Sequence, residues 1–147
     1  MTSQKFDSFQ LPNGLRVVVQ TMPGLQSAAM TLMVPAGAVF DQPEKSGTAA
    51  ILSEMFSRGA GSLSARELSS AMDSLGLQRS VSGGLSYITF STATTADRIS
   101  DAVPLIASMV QQPHLTNDQF GPARLDVGDA MDVRPHPHIN LATVTWL

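Results

Sequence analysis

The sequence predicts an α+β fold, in which an antiparallel or mixed β-sheet carries helices packed on one of its faces. Segments that alternate with a period of two residues occur in groups, and segments with a helical period lie between and after these groups. The predicted order of elements is therefore β-β-β-α-α-β-β-α-α, without the strict β-α-β alternation of a parallel sheet. The length of 147 residues suits one domain with a substantial core.

The first two strands are predicted to form a hairpin around Pro12-Asn13-Gly14. Asn-Gly between two apolar runs is the strongest short-range signal for a hairpin turn, and residues 9–11 and 15–20 supply the two runs. A third strand is predicted over residues 28–34, because apolar side chains there recur at every second position. Its apolar face consists of Ala28, Met30, Leu32 and Val34.

Two helices and a second hairpin are predicted in the middle of the chain. Residues 46–58 are apolar around much of the helical circumference, which indicates a buried central helix. The second helix begins with a capping box formed by Ser64 and Glu67 and ends at Gly76, which suits the position after a helix. The strands of the second hairpin are predicted at about 77–82 and 85–93, joined at Gly83-Gly84.

Two further helices are predicted in the last third of the chain. The third spans about 96–111, where Pro104 should kink the helix or delay its start. The fourth spans about 117–132, and the alternative is a helix that starts later, with Gly121 as its cap and Pro122 at its first position. The apolar stripe of the third helix is predicted to contain Ile99, Val103, Ile106 and Val110.

Residues 47–55, Gly-Thr-Ala-Ala-Ile-Leu-Ser-Glu-Met, resemble a metal-binding helix that has lost its ligands. Together with motifs over residues 7–133, they resemble the pitrilysin/insulinase family of zinc peptidases, which includes mitochondrial processing peptidase. In that family, a glycine is followed three residues later by the first histidine of His-x-x-Glu-His. The motifs that carry the resemblance are residues 11–15, Ala36-Gly37, Glu44 with Gly47, and residues 64–76.

The resemblance assigns the first histidine position to Ala50, the glutamate position to Ser53 and the second histidine position to Glu54. A catalytic zinc ion usually takes three protein ligands and a water, and Ala50 has no donor atom. The third ligand of the family is a glutamate of a later helix, which corresponds to residues 128–131, where Asp129 is the only possible donor. The resemblance therefore implies no zinc site, no cofactor and no catalytic residue.

The same residues have ordinary structural roles. Glu54 is predicted to be a partly solvated helix residue or a salt-bridge partner, and Ser53 to bond a backbone carbonyl one turn back. His114 is predicted to be a loop residue without a partner. His136 and His138 lie between prolines and are predicted to be surface or turn residues, since no third donor for a metal is evident.

The composition excludes several function classes. The net charge of −3 gives no electrostatic basis for binding nucleic acid or an anionic membrane. The chain contains no cysteine and no apolar run of membrane-spanning length, which favours a soluble cytoplasmic protein. Only 14% of the residues are charged, and a surface with little charge suits a chain that is partly covered by a partner.

We expect a single, partial peptidase-like domain over residues 1–147, with an uncertain tail at 134–147, that lacks the final helices and last strand and so leaves a sheet edge unpaired. The expected function is that of a non-catalytic structural or peptide-holding subunit in a heterodimer with an active metallopeptidase. One alternative is an active metalloendopeptidase with atypical ligands, such as Glu54, Asp129 and the tail histidines. The other is a self-associating structural module that forms a homo-oligomer.

Overall fold

The computed structural model describes the backbone of residues 5–131 and the side chains of residues 6–127. Within this part, no helix combines the length and the hydropathy that a membrane-spanning helix requires. The strands are β1 (Lys5–Gln10), β2 (Arg16–Thr21), β3 (Ser27–Val34), β4 (Gly59–Ala60), β5 (Leu63–Ser64), β6 (Gln78–Gly83) and β7 (Ile88–Thr95), and the α-helices are α1 (Thr48–Met55), α2 (Ala65–Ser74), α3 (Ile99–Gln111) and α4 (Asn117–Met131).

The predicted α+β class is confirmed, and the predicted order of elements is correct except for the short hairpin β4–β5 between α1 and α2. The described strands form three antiparallel sheets, namely the hairpin β1–β2, the short hairpin β4–β5 and a three-stranded sheet in the order β3-β7-β6. In the three-stranded sheet, Phe90 of the central strand lies opposite Leu32 on one side and Val81 on the other. Sequence reasoning missed β4–β5, because its two-residue strands are too short to show an alternating pattern.

The main core lies between the three-stranded sheet and helices α2 and α3. The predicted alternation of β3 is confirmed, since Met30, Leu32 and Val34 pack against this core while their neighbours are exposed. Phe56, which follows α1, and Phe90 of β7 meet edge to face, with ring centroids 5.0 Å apart. Among the described residues, the largest fully buried side chains are Phe56, Phe90, Met55, Leu68, Met72, Ile88, Ile106 and Met109.

Helix α1 is shorter than predicted and is capped by a residue that precedes it by several positions. It begins after Gly47, whose positive φ of 89° suits glycine, and Ser46 ends the preceding 3₁₀ turn at Pro43–Lys45. Asp41 accepts hydrogen bonds from the backbone N–H groups of Gly47 at 2.9 Å and Ala49 at 3.0 Å. Because Gly47 has no side chain, the carboxylate of Asp41 supplies the cap that a serine or aspartate normally supplies from the adjacent position.

The predicted capping box at the start of α2 is confirmed. Ser64 Oγ accepts from Glu67 N–H, and Glu67 Oε2 accepts from the backbone N–H of Ser64 at 2.9 Å. The hydrogen bond from the Ser64 hydroxyl lowers the pKa of Glu67 below its usual value. The stabilising contribution of the box is therefore present at neutral pH and is lost as the pH falls through the lowered pKa.

The stripe predicted for α3 is wrong at one position, and the helix begins at Ile99 rather than at about 96. Val103 is 44% exposed, whereas Ala102, Ile106 and Met109 are buried. The prediction favoured the β-branched Val103, but the small Ala102 side chain lets the helix approach the core more closely. Pro104 lies inside α3 and not at its start, and the kink at this residue stays a prediction.

Candidate functional site

Helix α1 carries all three motif positions, and none of them offers a free metal ligand. Ala50 ends in a methyl group. Ser53 is buried, and its Oγ donates to the backbone carbonyl of Ala50 at 2.7 Å, which confirms the predicted bond one turn back. The hydroxyl of Ser53 is therefore committed to the backbone of its own helix.

Glu54 takes part in an ion-pair network that joins α1 to α4. Its Oε1 accepts from Arg58 Nη2 at 3.1 Å, which confirms its prediction as a salt-bridge partner. The same Nη2 also donates to Oδ2 of Asp126 on α4. Glu54 and Arg58 have the i,i+4 spacing at which opposite charges pair along a helix, and the pair forms although Arg58 follows the end of α1 at Met55. The contact with Asp126 was missed, because it joins residues far apart in the chain.

An apolar contact between α1 and α4 supports this network. Ile51 and Met55 of α1 are buried against Ala123 of α4, with Leu115, Phe120 and Val127 partly buried around them. Helix α4 is continuous through Pro122, which confirms the first prediction for this segment and makes the later start at Gly121 wrong. Phe120 before Pro122 and Ala123 after it both pack against α1.

The remaining predicted ligands lie at the limit of the described residues or beyond it. Asp129 belongs to α4 by its backbone, but its side chain lies outside the described residues. His136 and His138 lie outside them entirely, as does the tail at 134–147.

At the start of α4, hydrogen bonds from Thr116 and then Gln119 lower the pKa of Asp118 below its usual value.

The residues at the motif positions do not fit a zinc ion. Zinc binds nitrogen, sulfur or oxygen donors, and three protein ligands are usual at a catalytic site. Over residues 6–127, no three His, Asp or Glu side chains are grouped closely enough to hold a metal ion. Glu54 is the single carboxylate among the motif positions, and its charge is already paired with Arg58.

The prediction that His114 has no partner is wrong. Its Nε2 lies 2.7 Å from the carbonyl oxygen of Gly61, and its backbone N–H donates to the carbonyl of Gly59 at 2.9 Å. Pro113 also forms an isolated antiparallel bridge with Ala60. These bonds hold the connection between α3 and α4 against the β4–β5 hairpin. Sequence reasoning missed them because the hairpin itself was missed.

The free edge of β6 lies close to the motif helix. A Cβ atom added to Gly83, the last residue of β6, would meet the carbonyl oxygen of Ala49 on α1 at 2.9 Å. Within the described residues, β6 pairs with β7 only, and every β6 side chain except that of Val81 is exposed. The unpaired backbone groups of β6 are therefore accessible beside α1.

Strand β3 forms the other edge of the three-stranded sheet, and several apolar side chains of the β1–β2 hairpin are exposed. Within the described residues, β3 pairs with β7 only, so its other edge is unpaired there. The hairpin β1–β2 forms a separate sheet, with Phe6 59% and Val18 64% exposed. These surfaces suit a partner or a further segment of a longer polypeptide.

Residues 16–135 match the sequence family described as insulinase, peptidase family M16. The chain belongs to this family. An uncharacterized zinc protease of Rickettsia bellii is 23% identical over 117 residues, which cover 80% of this chain and 28% of that protein. A probable mitochondrial-processing peptidase subunit beta of Arabidopsis thaliana is 24% identical over 116 residues, covering 79% of this chain and 21% of that protein.

Solved structures of the insulinase family share the fold. An inactive domain of a family M16 peptidase from Pseudomonas fluorescens superposes with a TM-score of 0.77 at 16% identity, covering 87% of this chain and 31% of that chain. Pitrilysin superposes with a TM-score of 0.78 at 22% identity, covering 87% of this chain and 14% of that chain. This insulinase-family chain thus spans about a quarter of the length of the two curated relatives.

Proposed function

We propose that this insulinase-family domain is a non-catalytic subunit that holds extended peptides beside an active metallopeptidase. The observation that carries the proposal is the chemistry of α1, where Ala50, Ser53 and Glu54 occupy the positions of the zinc ligands and general base. One position has no donor atom, one is bonded to the helix backbone, and one is paired with arginine. Residues of this kind do not support hydrolysis of a peptide by a metal-bound water.

Peptide binding is proposed for the free edge of β6. An exposed strand edge binds an extended peptide through main-chain hydrogen bonds, which tolerate many side-chain sequences. The position of Gly83 against Ala49 supports this edge over others, since a peptide added there would run beside the motif helix. A peptide held at this place could be passed to an active subunit.

A heterodimer with an active homologous subunit is proposed on two grounds. The low share of charged residues and the exposed apolar side chains suit a covered surface. The structural neighbour from Pseudomonas fluorescens is itself described as an inactive domain, so a domain of this fold without activity of its own has a precedent. The cytoplasmic location stays a prediction from the sequence.

The first prediction concerns metal content. We expect the purified protein to carry far less than one zinc ion per chain and to leave peptides uncleaved, because its motif positions supply at most one carboxylate. Elemental analysis and peptide hydrolysis, with and without a chelator, measure this. If the protein carries stoichiometric zinc and a chelator abolishes its peptide hydrolysis, the proposal is wrong. The alternative function, an active metalloendopeptidase with atypical ligands, would then be correct.

The second prediction concerns peptide binding at β6. We expect an extended peptide methylated on the backbone nitrogens that face β6 to bind about tenfold more weakly than the unmodified peptide, because main-chain bonds dominate strand addition. The matched control is the same peptide methylated on the alternate nitrogens, which face away from β6 and should bind almost normally. Titration followed by fluorescence anisotropy measures both. Equal binding by all three peptides contradicts a β6 strand-addition mode.

Self-association is the second candidate function, and one observation favours it. Strand β3 contains no charged residue and no proline, the two devices that usually protect an exposed edge from pairing with another chain. Its outward face includes Met33, which is 53% exposed. Light scattering of the protein, alone and with a homologue that carries an intact His-x-x-Glu-His, separates the candidates. A stable homodimer that ignores the homologue favours the structural module.

A further inference from the structure

Arg58 lies at the junction of the two helices that meet beside the motif positions. Its Nη2 donates to Glu54 of α1 at 3.1 Å and also to Asp126 of α4. The Arg58 side chain is only 17% exposed, so solvent screens its charge less than that of a surface arginine. The family resemblance implies that a zinc ion in active members is held by donors from this helix and from a later one. In this chain, a guanidinium group joins acidic side chains of α1 and α4.

We propose that the Arg58 guanidinium is the cation that holds α4 against α1 in this chain. This inference rests on the proposed function, because it applies to a chain whose motif positions do not fit zinc. Without Arg58, the carboxylates of Glu54 and Asp126 would approach each other with no positive charge between them. Like charges at such a distance repel, and a shared cation turns this repulsion into attraction.

The geometry requires a positive charge at this point more than it requires the shape of arginine. Both carboxylates are bound through the same nitrogen, Nη2. Within the described residues, the buried Nε of Arg58 makes no hydrogen bond, so the planar fork of the guanidinium is not used for bidentate pairing. A lysine ammonium, which is a point charge with three donors, can make the same two contacts.

Helix α4 depends on this bridge because its apolar contact is small. Among its described side chains, only Ala123 is fully buried, and Leu125 is 65% exposed. Pro122 has no backbone N–H and removes one hydrogen bond from the interior of the helix. The ion pairs therefore add to an apolar contact of limited area between α1 and α4.

The third prediction tests the bridge by hydrogen exchange on protein dialysed against a chelator. We expect Arg58→Met to speed amide exchange in peptides covering residues 117–127 by about tenfold, because loss of the cation lets α4 open locally. Arg58→Lys is expected to stay within about twofold of the wild-type exchange, because it restores the charge. Asp126→Asn should also speed amide exchange over residues 117–127. Asp126 is exposed, so this change should not disturb the core.

The matched control is Arg79→Met. Arg79 pairs with Asp73 at 3.6 Å and donates to Ser69, so its loss disturbs α2 and β6 but no contact between α1 and α4. Exchange over residues 117–127 should be unchanged in this variant. Wild-type exchange in Arg58→Met, or failure of Arg58→Lys to restore it, overturns the inference. Stoichiometric zinc in the untreated wild-type protein instead overturns the proposed function, so the two failures are distinguishable.

Discussion

Replacement of Phe56 by alanine is expected to lower the free energy of unfolding by about 3–5 kcal/mol, the largest stability loss that we predict for one side chain. Phe56 is 0% exposed and packs edge to face on Phe90 of the central strand β7. Truncation removes this aromatic contact and leaves a cavity between α1 and the sheet, which the surrounding side chains fill only in part. Urea unfolding followed by circular dichroism measures the change.

Phe40→Ala is the matched control for Phe56→Ala. Phe40 has the same side chain but is 65% exposed, so its truncation should change the free energy of unfolding by no more than about 0.5 kcal/mol. The difference between the two variants isolates the effect of burial from the effect of the residue type. Equal losses in both variants would show that Phe56 does not fill the core between α1 and β7.

The parts of the fold that were predictable depend on neighbours in the sequence. The capping box of Ser64 and Glu67 joins residues three apart, and the alternation over residues 28–34 is a local pattern with a period of two. The Asp41 cap of α1 is less local, because Asp41 lies six residues before Gly47 and eight before Ala49 in the sequence. No standard capping motif has this spacing. The short strands β4 and β5 were not predictable, since a two-residue strand has no measurable period.

In the candidate site, too, the features that depend on sequence neighbours were predictable and those that depend on distant residues were not. Sequence reasoning placed Ala50, Ser53 and Glu54 on one helix and foresaw the bond from Ser53 to the backbone, because a helix fixes these relations locally. It did not foresee that Arg58 joins Glu54 to Asp126, because the position of α4 depends on packing between distant segments. The inference about Arg58 thus required the structure, whereas the prediction that the zinc ligands are absent required the sequence alone.

The joint between the β4–β5 hairpin and the α3–α4 connection depends on a glycine that no other residue can replace without strain. Gly59 has a φ of +119°, a conformation that L-amino acids rarely adopt. A Cβ atom at Gly59 would also meet Nδ1 of His114 at 2.6 Å and the carbonyl oxygen of Leu63 at 3.0 Å. Displacement of His114 would break its contact with the carbonyl of Gly61. Backbone strain and a steric clash therefore act together at Gly59.

We expect Gly59→Ala to lower the free energy of unfolding by about 3 kcal/mol, the sum of a backbone strain of about 1–3 kcal/mol and a lost hydrogen bond of about 1 kcal/mol. Urea unfolding measures this loss. Gly76→Ala is the control, because Gly76 also has a positive φ, of +59°, but a Cβ atom there meets nothing within 4 Å. Its loss should be about 1 kcal/mol, the conformational cost alone.

A double-mutant cycle assigns the remaining loss to His114. In a His114→Ala background, the Gly59→Ala change no longer displaces an imidazole ring, so its cost should fall by about 1 kcal/mol. The cost should not vanish, because the positive φ of Gly59 and the nearby carbonyl of Leu63 are unchanged. Strict additivity of the two changes would mean that the methyl group introduced by Gly59→Ala avoids the ring. In that case the whole β4–β5 hairpin would shift to make room for the methyl group. The contact between His114 and Gly61 would then not determine the position of the hairpin.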